Sequence, residues 1–224
     1  MLTCLKKPQW KGCSDCDKLI TVRRFFSSSQ RSLSMLSVII PTEGVEQPAV
    51  ATLAALVPGA AAGIIREVLL VDRSDNGVIE RVADVSGCRF LRFDGTTRAA
   101  ALAAGARQAR SPWLMFLRPG AVLDTGWIEE TTQFIQGVAA SGRPRAGVFR
   151  YARSPYADTG MRDRFRFIAR TIAGPLSDQG LLIAREHYDR LGGYAPDARR
   201  SEARLLRQLG RSSRTLLRSR IMMV

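Results

Sequence analysis

The 224-residue chain is short of the side chains that build metal centres: it has one histidine, His187, and four cysteines. Cys4, Cys13 and Cys16 crowd near the start. A structural zinc site needs four ligands, so Cys13-Ser14-Asp15-Cys16 predicts none. Cysteines so placed do not form a disulfide framework either, which points to a reducing, cytoplasmic setting. No run of about 18 apolar residues exists, because the most apolar stretch, Ala49 to Ile65, is interrupted by Pro58, Gly59 and Gly63; this argues against a spanning helix. No helix-turn-helix, zinc-finger or aromatic RNA-binding signature is present, so nucleic acid is not an expected partner.

Acidic residues are also scarce. Twenty Asp and Glu stand against 34 Lys and Arg, a formal net charge of +14, which predicts attraction to phosphate groups or to an anionic membrane surface. Hydrophobic residues make up 46% of the chain, enough for one well-buried core. Residues 1–34, with Lys6, Lys7, Lys11, Lys18, Arg23, Arg24 and Arg31 and no sustained period, read as a basic disordered leader or an over-extended start upstream of Met35. Residues 35–211 read as one domain and 212–224 as a basic tail.

After Met35, strand-length apolar runs alternate with helix-length segments. Leu36 to Pro41, Glu67 to Asp72, Arg89 to Phe93 and Trp113 to Leu117 are candidate strands, and their continuous apolar character suits burial on both faces. Gln47 to Val57, Val78 to Val85 and Thr97 to Arg110 are long enough to cross back and lay the next strand parallel. The alternation predicts a doubly wound, mostly parallel α/β sheet flanked by helices.

In such sheets ligands gather at the carboxyl ends of the strands. Those ends carry Pro41-Thr42-Glu43, Asp72-Arg73-Ser74-Asp75, Asp94-Gly95-Thr96-Thr97-Arg98 and Arg118-Pro119-Gly120. A carboxylate there can accept from a ribose or base, and arginine presents a fork of donors to phosphate. Asp72 is read as a ligand residue, Asp75 as the cap of the following helix, and Asp94-Gly95 as a turn.

Ser37-Val38-Ile39-Ile40-Pro41-Thr42, Val68-Leu69-Leu70-Val71-Asp72 and Arg98-Ala99-Ala100-Ala101-Leu102-Ala103-Ala104-Gly105-Ala106 together resemble the family 2 glycosyltransferases. Trp113-Leu114-Met115-Phe116-Leu117, Asp178-Gln179-Gly180-Leu181-Leu182-Ile183 and Leu191-Gly192-Gly193-Tyr194 continue the resemblance in the same order, most similar to the small stand-alone bacterial members. It implies a GT-A-type fold in which Pro41, Thr42, Glu43 and Asp72 meet the nucleoside of a nucleotide sugar. It also implies an Asp-x-Asp holding a divalent cation, but the matching triplet is Arg118-Pro119-Gly120. An arginine there repels a cation and attracts the diphosphate itself, so no metal cofactor is expected and Arg118 with Arg98 is expected on phosphate.

On the acceptor side the resemblance implies a general base, with Glu202 and Asp178 as candidates and Gln179 and Gly180 lining the pocket. Glu202 lies in Ser201-Glu202-Ala203-Arg204, where a second acid often found in the family is Arg204; capping by Ser201 would explain it equally. Met161 to Ile172, and the leucines Leu205, Leu206, Leu209, Leu216 and Leu217 among arginines, read as basic amphipathic segments. These either pack as helices with snorkelling arginines or rest peripherally on the inner face of a membrane. The expected activity is sugar transfer from a nucleotide sugar to a glycan or lipid-linked acceptor without metal. The alternative is a noncatalytic domain of this fold binding a nucleotide, glycan or protein.

Overall fold

Leu36–Thr42 forms β1, buried at all seven positions, because its side chains alternate between two cores. Val38 and Ile40 point into one and Ile39 into the other. The same alternation holds in β2 (Ile65–Asp72) and β4 (Trp113–Phe116), where Leu70 and Met115 face the first core while Leu69, Val71, Leu114 and Phe116 face the second. Strands with both faces covered need no polar alternation. The computed structural model describes residues 35–152, 179–196 and 201–224. The basic leader, the segment Met161 to Ile172 and Asp178 lie outside these residues.

Helices cover both faces. Glu46–Ala61 (α1), Val78–Ser86 (α2) and Trp127–Ser141 (α4) supply Leu56, Ile79, Val82, Trp127 and Ile135 to the first core. Arg98–Gln108 (α3), Arg185–Arg190 (α5) and Ser201–Gln208 (α6) supply Ala101, Leu102, Tyr188, Leu205 and Leu206 to the second. Helix α1 runs through Pro58, and Gly59 lets Trp127 lie against its backbone, since a Cβ there would collide with the indole. Asp75 does not cap α2: the cap position is Gly77, with no side-chain bond, and Asn76 Oδ1 just before it accepts from the Val78 N–H at 3.0 Å, while Asp75 pairs with Arg92.

The remaining strands are β3 (Arg89–Arg92), β5 (Ala121–Leu123), β6 (Ala146–Tyr151), β7 (Leu181–Ala184) and β8 (Arg214–Met223). Strand order is β3-β2-β1-β4-β7-β6-β8-β5. The first four strands are mutually parallel, as the alternation predicts, but β7 runs antiparallel to β4 and β6, and β5 antiparallel to β8. In a flat sheet β5 would lie about 19 Å from β4, four strand spacings away. Yet the two are joined by a tight turn in which the Ala121 N–H donates to the Arg118 carbonyl at 3.1 Å. The sheet therefore curls, and its second half returns to the carboxyl end of β4.

The leucine–arginine stretch near the end is not one amphipathic helix. Helix α6 ends at Gln208, the chain turns at Gly210, which has φ +66, and β8 follows with Leu217, Ser219 and Ile221 buried and Leu216, Arg218 and Arg220 exposed. That period of two is a strand's, and the partner that selects it is β6, paired in parallel.

Candidate functional site

The carboxyl ends of β1 to β4 share one edge of the sheet. Because β7 is antiparallel to β4, with Phe116 opposite Leu181, its entry residues Gln179 and Gly180 reach the same edge. Three small structures are built there.

The first is centred on Asp72, the last residue of β2, directly opposite Thr42 and only 1% exposed. Its Oδ1 accepts from Thr42 Oγ1 at 2.9 Å and from the Gly44 N–H at 3.0 Å, and its Oδ2 from Ser74 Oγ at 2.6 Å. Three donors hold the carboxylate, and through it the loop leaving β1 is tied to the loop leaving β2. Pro41 is buried in β1 opposite Val71. Glu43, largely exposed, forms an ion pair with Arg73, whose guanidinium also donates to the Thr96 carbonyl at 2.5 Å. Arg73 thus ties the ends of β1, β2 and β3 together. It lies in the strand-end tetrad Asp72-Arg73-Ser74-Asp75, but its reach to residues 23 and 30 positions away has no sequence signal.

The second joins two residues expected on opposite sides of the site. Arg98, in the first turn of α3, places Nε 3.3 Å from Oε1 of Glu202, in the first turn of α6, with both side chains about four-fifths buried. Ser201 Oγ makes no hydrogen bond, so Ser201 does not cap α6, and Glu202 is better described by its ion pair. Thr97 caps α3 through the Ala100 N–H at 3.1 Å and also donates to the Pro196 carbonyl at 2.8 Å, which docks the Gly192-Gly193-Tyr194 turn here.

Tyr194 lies in an aromatic cluster with Tyr188 and Phe116. A Cβ on Gly193, at φ +61, would come within 2.7 Å of the Tyr188 ring, and the Tyr188 hydroxyl accepts from the Tyr194 N–H at 3.0 Å. Burial, then the charge of Glu202, raises the Tyr194 phenol well above its ordinary value. Burial likewise pushes Tyr188 up to about 12.

The third is the turn Arg118-Pro119-Gly120. The Arg118 carbonyl accepts from Thr52 Oγ1 at 3.3 Å, the Gly120 N–H donates to the Pro48 carbonyl at 2.8 Å, and the Gly120 carbonyl accepts from the Val224 N–H at 3.0 Å. Gly180 packs beside it at φ +73, its Cβ direction filled by Leu117 at 3.0 Å and Phe149 at 3.1 Å. This turn does not fit a divalent cation: its only charged side chain is a guanidinium, and no group of three or more His, Cys, Asp or Glu suited to a metal occurs among the described residues.

A groove of about 460 Å³ between α1 and α2 is lined mainly by apolar side chains, Val50, Leu53, Val57, Val82 and Val85 among them, with Glu46, Arg81 and Ser86 as its polar members. The chemistry-bearing residues converge on the sheet edge instead. Chemically that edge combines three arginines, two of them paired with Glu43 and Glu202, with the buried carboxylate of Asp72, an arrangement suited to a ligand bearing phosphate and hydroxyl groups.

No family model matches the chain, and no curated protein matches it. Among solved structures it is similar to the crystal structure of S. aureus TarS 1-349, a GT-A-type glycosyltransferase, with a TM-score of 0.61 at 11% identity. The match covers 85% of this chain and 60% of that one, so this chain spans well under the neighbour's length. The likeness establishes a GT-A-like fold: a curled eight-stranded sheet with flanking helices. No helix among the described residues is long and apolar enough to cross a membrane.

Proposed function

We propose that this protein transfers a sugar from a nucleotide-sugar donor to an acceptor hydroxyl, with arginines in place of a metal at the diphosphate. The observation that carries the reading is the Arg98–Glu202 pair, 3.3 Å apart, on the sheet edge that also holds Asp72 and Arg118. In this reading Thr42, Glu43 and Asp72 hold the nucleoside, Pro41 shaping the loop, and Arg98 and Arg118 face the diphosphate. Glu202 takes the proton of the acceptor hydroxyl as its oxygen attacks the anomeric carbon; the bond to the diphosphate breaks and its electron pair leaves with the nucleoside diphosphate. Fixed guanidinium donors stabilise that developing charge without reorganising. Gln179, Gly180 and Asp178 belong to the acceptor side.

The test is thermal unfolding with UDP, GDP, TDP and CDP sugars, each with and without Mn²⁺. Ligand at about 100 times Kd adds roughly 2.7 kcal/mol, an upward shift of about 5–10 °C for a domain of this size. One nucleotide class should stabilise independently of Mn²⁺, and Arg118→Ala and Arg98→Ala should abolish the shift. A shift that requires Mn²⁺, or none with any donor, refutes the reading.

One observation favours a second reading, a noncatalytic domain that retains the fold: the turn at 118–120 carries no carboxylate. Donor-dependent stabilisation with no release of nucleoside diphosphate across an acceptor panel selects it.

A further inference from the structure

We propose that the outer face of β8, with Arg150 of β6 beside it, docks on an anionic lipid bilayer; this is independent of the transfer reading. Leu216, Arg218 and Arg220 occupy successive outward positions on β8, all exposed, with Leu216 49% accessible. Arg150 is exposed and lies directly opposite Arg220 in the β6–β8 pairing. Like charges facing each other across a ladder destabilise the pair, and no described carboxylate lies within ion-pair distance of these three guanidinium groups.

Of the three nearby acids, Glu129 lines the groove beside Arg218, and the other two are engaged with the backbone. Glu130 accepts from the N–H groups of Arg218 and Ser219, and Asp124 Oδ2 from that of Arg220 at 2.9 Å. They satisfy an otherwise open stretch of strand edge, although the Glu130 charge lies near Arg218. An external anion is what offsets the Arg150–Arg220 juxtaposition.

The apolar residues among these charges select the occupant. Leu216 stands in the arginine row, and Val224, 68% exposed, follows the strand. A soluble polyanion gains nothing from exposed leucine and valine, whereas an interface of headgroups over acyl chains takes both. The strand also leads to the candidate site, since the Val224 N–H donates to the Gly120 carbonyl beside Arg118.

The experiment is cosedimentation of the full chain with phosphatidylcholine vesicles with and without phosphatidylglycerol. Binding is expected only with the anionic lipid. An arginine near such a surface contributes about fivefold, so Arg150→Gln/Arg218→Gln/Arg220→Gln should lower the partition coefficient by about a hundredfold. Arg66→Gln/Arg81→Gln/Arg143→Gln removes the same charge from other exposed positions and should change it at most severalfold. Leu216→Ser should weaken vesicle binding and leave heparin binding unchanged.

Unchanged melting midpoints establish that each variant is folded. Equal losses from the two triple variants, equal binding to neutral vesicles, or capture by heparin without vesicle binding overturns the proposal. None of these outcomes depends on a nucleotide sugar.

Discussion

Replacing Asp72 separates its scaffold role from its proposed ligand role. In Asp72→Ala, Thr42 Oγ1, fully buried, and the Gly44 N–H lose their shared acceptor, and Ser74 Oγ loses its own. Each hydrogen bond to a charged group is worth about 1.5–3 kcal/mol. The three share one carboxylate and are not additive, so the expected loss is about 3–5 kcal/mol. That lowers the melting midpoint by about 6–20 °C at 2–4 °C per kcal/mol for a unit of this size.

Asp72→Asn keeps a carbonyl oxygen for Thr42 and Gly44 and turns an amide donor toward Ser74, whose hydroxyl can rotate to accept it. Its cost should be only about 0.5–1.5 kcal/mol, while a nucleoside hydroxyl donating to the carboxylate would lose about 5–30-fold in affinity. Urea denaturation with an unchanged slope reads the first quantity, and ligand-induced stabilisation reads the second. A loss below about 1 kcal/mol in Asp72→Ala, or an Asp72→Asn as unstable as the alanine variant, would refute the argument.

Two further outcomes concern the scaffold. Burial raises the Glu67 carboxyl but is outweighed by hydrogen bonds from Ser37, Arg89 and the Arg110 N–H together with the Arg89 charge, so its pKa lies below the ordinary 4.5. A depressed folded-state pKa contributes stability that is present above the unfolded value and lost as pH falls through the folded one. Glu67→Gln should therefore flatten the acid side of the stability profile below about pH 4.5, measured by urea midpoints across pH; an unchanged acid slope would count against it. Gly59→Ala drives a methyl into Trp127, a cost of about 1–3 kcal/mol that exceeds the roughly 0.5–1 kcal/mol alanine gains in a helix. A variant more stable than the parent in thermal unfolding would contradict that packing.

The first half of the sheet was legible because its code is local. Each of the four apolar runs became a strand within two residues of the expected bounds, and the three intervening segments became helices, since a continuous apolar run reports burial on both faces and the spacer between parallel strands must be long enough to cross back. The second half was not. β5 has three residues, too short for a period; β7, with four, was expected only through the resemblance of Asp178-Gln179-Gly180; and β8 was read as helix because leucine and arginine carry no strand bias of their own. Pairing with β6 and the carboxylates of Asp124 and Glu130 on its backbone select the extended form.

At the candidate site the strand-end rule singled out Thr42, Asp72, Arg98 and Arg118 as candidates from position alone. It could not identify Arg73, whose importance lies in bonds to Glu43 and Thr96, nor that Arg98 and Glu202, 104 positions apart in the chain, would meet as an ion pair. By itself the sequence determined the alternation of strand and helix, the parallel start of the sheet, the placement of charged groups at strand ends and a turn at 118–120 without a carboxylate, because each of these is set by near neighbours and residue chemistry. Only the tertiary structure decided the curl that returns β5 to β4, the three donors that hold Asp72, and which guanidinium meets which carboxylate. Those depend on contacts between distant segments, whose register follows from the packing of two cores at once and leaves no periodic trace in the chain.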